Sequence, residues 1–132
     1  MAGRFGLVSA PGDVPEEILV RLRAVCRALP ESYEEPAWIG VRWRIRQRTI
    51  AHAYTRDPEG ECVMTFRAAA EEMIALVQSG HPFSRADWGD NVLRMIFTDD
   101  VDWTEVAELL TESYRIMAPK RLAALVDRPP VV

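Results

Sequence analysis

The sequence predicts an α+β domain, with an antiparallel sheet of about four to five strands and helices packed on one face. Three patterns carry this expectation. Two stretches repeat apolar residues at the three- and four-residue spacing of an amphipathic helix. From position 38 the spacing shortens to two, as in half-buried strands. Strands then follow one another without room for crossover helices, and the helices stand apart, which excludes a parallel βαβ sheet. At 132 residues the chain is one domain, with a core from about 13 to 127 and flexible ends.

The first helix starts at Asp13-Val14-Pro15-Glu16, which has the form of a capping box with Asp13 as N-cap. Its apolar stripe is Ile18, Leu19, Leu22, Val25, Cys26 and Leu29, and Pro30 closes it. Residues 31–36 read as a polar connector. Ile39, Val41, Trp43 and Ile45 then alternate with Gly40, Arg42, Arg44 and Arg46, giving a strand with one apolar and one basic face. A second strand runs from Thr49 to Tyr54. With Gln47-Arg48 as a two-residue turn, Ile45 faces Ile50, Trp43 faces His52 and Val41 faces Tyr54 on the core side. Ala51 and Ala53 fall beside the arginines. A longer loop is the other option, because Gln-Arg is a poor turn pair.

After the turn at 55–60, a third strand at 61–66 buries Cys62, Met64 and Phe66. Helix two covers about 68–78, with Ala69, Met73, Ile74 and Val77 inward and Gly80 ending it. Residues 81–88 form a loop, and 91–98 the fourth strand. Asp102-Trp103-Thr104-Glu105 repeats the capping pattern before a helix that buries Val106, Leu109, Leu110, Ser113, Tyr114 and Met117. Pro119 opens a short last helix in which Leu122, Leu125 and Val126 pack.

Charge is distributed unevenly. The net charge is −4, which argues against coating nucleic acid by bulk attraction. Yet Arg42, Arg44, Arg46, Arg48 and Arg56 occur between Pro36 and Arg56 without an acidic residue, a local +5. Alternate strand residues lie about 6.6–6.8 Å apart, so Arg42, Arg44 and Arg46 form a ladder of roughly 13 Å, enough for several DNA phosphates. No aromatic residue interleaves on that predicted face, which leaves base stacking unsupported. The plain alternative is a solvated face whose arginines pair with Glu61, Glu34 or Glu35 or pack through their stems. Asp99 to Glu112 holds six acids and no base. There Glu105, Glu108 and Glu112 share a helical face that reads as solvated, with weak divalent-metal binding as its other use.

Residues for catalysis are lacking. Cys26 and Cys62 read as buried reduced thiols, and His52 as a core or boundary histidine. His81 lacks a Cys or His at metal-ligand spacing. Trp38, Trp88 and Trp103 read as core anchors. No phosphate-binding glycine loop or nucleophile elbow occurs. No enzyme activity and no cofactor are expected. The absence of a signal sequence or membrane-length apolar run points to the cytoplasm.

Several segments resemble the MmcQ/YjbR family. They are Ala86-Asp87-Trp88-Gly89 with the strand Val92 to Phe97, then Asp102-Trp103-Thr104-Glu105 and Leu109-Leu110-Thr111-Glu112-Ser113-Tyr114, and Ala118-Pro119-Lys120-Arg121-Leu122. Leu29-Pro30-Glu31, the Trp38 to Ile45 strand and the tight hairpin match upstream. The resemblance spans about residues 15–127 and implies a CyaY-like (frataxin-like) two-layer sandwich. Members are labelled DNA-binding largely by structural analogy. Many relatives carry a His-x-Asn-Lys-type segment where this chain has His81-Pro82-Phe83-Ser84-Arg85-Ala86-Asp87-Trp88, so a role tied to that segment is not carried over.

The expected function is a small non-enzymatic binding protein. Arg42, Arg44, Arg46 and Arg48 would hold DNA phosphates with little sequence specificity, and Lys120 and Arg121 would extend the patch. The alternatives are an adaptor whose basic face meets an acidic protein surface, a structural domain with no nucleic-acid role, and frataxin-like metal binding. A monomer is the default, with no membrane partner.

Overall fold

The computed structural model describes residues 12–56, 60–87 and 89–126. Its elements are α1 (Glu16–Cys26), β1 (Tyr33–Pro36), β2 (Val41–Ile45), β3 (Arg48–Arg56), β4 (Glu61–Arg67), α2 (Ala70–Ser79), β5 (Phe83–Arg85), β6 (Val92–Ile96), α3 (Trp103–Met117) and α4 (Lys120–Ala123). All six strands form one antiparallel sheet in the order β1-β2-β3-β4-β6-β5. The helices pack on one face, so the α+β class and the layering follow expectation, with six strands in place of four to five. No helix among the described residues is long and apolar enough to cross a membrane.

The extra strands lie at the two edges. Tyr33–Pro36, expected as a connector, pairs with β2, and Phe83–Arg85, expected as loop, pairs with β6. Short edge strands bury little and bear charges, so neither shows the alternation that marks a strand in sequence. β2 correspondingly starts at Val41, and residues 37–40 form the connection from β1. Gly40 has φ +73° there, and a Cβ would strike the Ala53 carbonyl oxygen. Only glycine satisfies both conditions. Trp38 in this loop is fully exposed, contrary to the core anchor expected of it.

The β2–β3 hairpin corrects the predicted register. The turn is Arg46-Gln47, with Arg46 at φ 57° and Ile45 opposite Arg48. The register then shifts between Trp43 and Arg44, leaving Ile50 as the unpaired bulge residue, so Trp43 faces Ala51, Arg42 faces His52 and Val41 faces Ala53. Ala51 and Ala53 are therefore buried under the helices, while His52 and Tyr54 join Arg42 on the opposite face. Two alanines let the helix layer approach closely, and the polar tips of His52 and Tyr54 reach the side with polar partners.

At the helix termini, α1 begins after Pro15 without a side-chain cap, so Asp13 is not its N-cap. The residue before a proline avoids helical backbone, which disfavours a helix start at Val14 and delays it to Glu16. The helix ends at Cys26, before Pro30, and Ser32 Oγ donates to the Cys26 carbonyl (2.7 Å). Asp102 does cap α3, its Oδ1 accepting from Thr104 N (3.0 Å) and Glu105 N (3.3 Å). The predicted α3 stripe is buried throughout. In α2 only Met73 is fully inward, with Leu76 and Val77 packed beside it; Ala69, Ile74 and, after α4, Leu125 are exposed against expectation. Trp103 packs on Phe97 (5.5 Å between ring centroids). Trp88 lies outside the described residues.

The core lies between the sheet and α1, α3 and α4, around Leu22, Trp43, Ile45, Phe66, Leu93, Leu110 and Tyr114. One buried hydroxyl connects the layers at the bulge. Ser113 Oγ donates to the Ile50 carbonyl (2.7 Å) and accepts from Arg67 N (3.0 Å), so α3 satisfies backbone groups on β3 and β4 that the irregular ladder leaves open.

Candidate functional site

The face that bears no helix among the described residues carries a polar row across the sheet. Glu35, Arg42, His52, Thr65, Arg94 and Ser84 lie directly opposite one another on β1, β2, β3, β4, β6 and β5. With strands about 4.8 Å apart the row spans about 24 Å. Glu35 accepts from Arg42 Nε (2.5 Å) and lies 3.3 Å from Arg44 Nη1. One carboxylate thus serves two guanidinium groups, and they hold its pKa below the usual carboxylate value. Arg44 also donates to the Gln47 carbonyl (2.5 Å). The Nε atoms of Arg44 and Arg94 are buried without a hydrogen-bond partner among the described residues. The nearest carboxylate to Arg94 there is that of Asp87, at 4.0 Å.

Within this face a concavity of about 270 Å³ is lined by Arg42, Thr49, His52, Thr65 and Arg67 among its polar residues, with Ala37 and Trp38 on the hairpin side. Among the described residues no carboxylate lines it. His52 Nε2 donates to the Ile39 carbonyl (2.5 Å), which fixes the ring and attaches the 37–40 loop to the face. Arg67 Nη1 donates to the Asp90 carbonyl (3.3 Å) and makes no ion pair among the described residues. Two guanidinium groups, two hydroxyls and an imidazole around a cavity free of acids form an environment suited to an anion.

The six predicted site residues divide between locations. Arg42 and Arg44 occupy the helix-free face. Arg46 is in the turn, 3.1 Å from Glu31. Arg48 faces the helices and donates to the Met117 carbonyl (3.4 Å), three positions before Lys120. Lys120 and Arg121 stand exposed on α4, on the helix side. Arg56 pairs with Glu61 (2.8 Å), and Glu34 pairs with Arg23 of α1 (2.8 Å). The expected 13 Å ladder is therefore interrupted by the turn at Arg46, and carboxylates share its other rungs.

Sequence reasoning missed Trp38, His52, Thr65 and Arg67 as site residues. The usable signal was Pro36-Ala37-Trp38-Ile39-Gly40, whose proline and glycine bracket a loop. Arg67 gave none, since it lies outside the arginine-rich run.

Other groups stand elsewhere. Glu71, Glu72, Glu105, Glu108 and Glu112 line a second concavity of about 440 Å³ between α2 and α3, and Arg67 borders both this one and the acid-free one. Burial, with Asp102, Glu108 and Glu72 nearby, raises the Glu105 pKa. Among the described residues no three His, Cys, Asp or Glu side chains converge to hold a metal ion. Cys26 and Cys62 are buried free thiols, as expected. Burial drives the Cys26 pKa far up and pushes that of Cys62 to about 12, so neither is a thiolate at neutral pH.

The family model YjbR matches residues 27–116. That span takes in all six strands and every residue lining the acid-free concavity. Among curated proteins, none matches the chain.

Proposed function

The chain belongs to the YjbR family, and from that premise we propose that it is a small non-enzymatic protein that binds DNA through phosphate contacts on the helix-free face of its sheet. The observation that carries the reading is the acid-free lining around Arg42 and Arg67. Arg42 and Arg44 share one carboxylate, so this face keeps surplus positive charge there although the chain is negative overall. Such contacts position a nucleic acid without reading its bases. The protonated thiols favour binding over thiolate catalysis. A CyaY-like sandwich and a cytoplasmic location belong to the same proposal.

Gel-shift titration at two salt concentrations tests it. Arg42→Ala with Arg67→Ala should weaken binding and flatten the salt dependence, its slope falling by about 0.9 for each duplex phosphate released. Lys120→Ala with Arg121→Ala, on the helix side, should change little. Unaltered affinity in the first pair overturns the proposal.

A second reading rests on the glutamates between α2 and α3. An adaptor would set its basic face against such an acidic surface, including that of another copy. Salt-sensitive self-association without DNA, followed by light scattering, would favour it.

A further inference from the structure

We infer that the nucleic acid taken by this face is single-stranded, with an unpaired base stacked on the Trp38 indole and its neighbouring phosphate held by Arg42 and Arg67; this rests on the DNA-binding reading above. The described tryptophans differ sharply. Trp43 is 2 % exposed. Trp103 is stacked on Phe97, with the Arg21 guanidinium 5.4 Å from its ring centroid. Trp38 is 100 % exposed and has no ring or cation partner among the described residues. A wholly solvated indole leaves a large apolar surface in water that folding has not used.

The loop bearing Trp38 is held in place. Ala37 N donates to the Gly40 carbonyl (3.1 Å), Gly40 lies against the Ala53 backbone, and His52 fixes the Ile39 carbonyl. The indole therefore stands on an anchored hairpin tip at the rim of the acid-free concavity. Stacking plus a phosphate clamp is the combination by which single strands are bound without sequence preference. A duplex keeps its bases stacked inside and offers the indole no π-face, so it can use the arginines alone. The register shift adds to the site, because it brings His52 and Tyr54, 4.9 Å apart between ring centroids, onto the same face.

Fluorescence anisotropy with a labelled 15-nucleotide oligo-dT and a labelled 15-base-pair duplex tests the inference on the full chain. Trp38→Ala should weaken oligo-dT binding about tenfold, within the range of one base–aromatic stack. Duplex binding should change less than about twofold, and the salt slope should be preserved because the arginines that meet the phosphates are untouched. Trp38→Phe should restore most of the binding. An oligonucleotide with one abasic site in every three positions should bind the wild type more weakly and be nearly insensitive to Trp38→Ala. Equal weakening on both nucleic acids, or none on oligo-dT, would overturn the single-strand inference and leave duplex binding through the arginines standing. Failure of the wild type to bind either oligonucleotide would overturn the DNA reading as well.

Discussion

The two faces of the sheet are built from the same strands but satisfied in different ways. The helix side closes apolar surface: Trp43, Ile45, Ala51, Ala53, Met64 and Phe66 disappear under α1, α3 and α4. The other side is a row of polar side chains in register, of which Arg42 and Glu35 pair across strands, with two buried guanidinium Nε atoms left unpartnered among the described residues. Stability should therefore depend mainly on the first face and binding on the second. Ser113 connects them, since it holds the bulge that decides which β3 residues appear on each side.

The largest expected effect is on the covered face. Leu110 is fully buried, and Leu110→Ala should cost about 2–5 kcal/mol in urea unfolding. DNA affinity of the remaining folded protein should be unaltered. A smaller effect, below about 1 kcal/mol, would mean that this face is not the main source of stability.

Next comes the connection between faces. Ser113→Ala leaves the Ile50 carbonyl and the Arg67 amide without their partner, a cost of about 1–3 kcal/mol. Faster hydrogen exchange at the Arg67 amide would locate the effect, and oligo-dT affinity should fall because Arg67 belongs to the concavity. Unchanged exchange there would separate the faces entirely.

The smallest expected effect on stability belongs to the uncovered side. Glu35→Gln removes the carboxylate shared by Arg42 and Arg44 and should raise DNA affinity severalfold with a steeper salt dependence, at a minor cost in stability. The wild type should show the matching pH behaviour. Arg42 and Arg44 lower the Glu35 pKa from 4.5, so the stabilisation from the pair is complete above that value and disappears as pH falls through the depressed one. Weaker DNA binding by Glu35→Gln would show that the carboxylate orients Arg42 rather than competing with the phosphate.

Much of the fold was legible from pattern. α3 carries every signal at once: an Asp N-cap, a continuous apolar stripe and a proline beyond its end. The β2 alternation likewise placed Trp43 and Ile45 in the core. The edge strands were invisible because a four-residue and a three-residue strand bury too little to leave a periodic trace. The site was less legible than the fold. Arg42 and Arg44 could be put on one face by counting in twos, and Glu35 was among the carboxylates expected to meet them. Which residues of β3 join them depended on a turn and a bulge, and one step of register exchanges every side chain between faces.

Sequence alone determined the class, the family, the buried thiols and the helix that closes the core, because periodicity and capping are local properties of the chain. Tertiary structure alone decided that His52 and Tyr54 stand with Arg42, that Arg48 turns toward the helices, and that Trp38 projects into solvent. Those outcomes depend on which backbone groups meet across strands and on Ser113 reaching the bulge from 63 residues away. Pairings at that separation leave no local pattern to count.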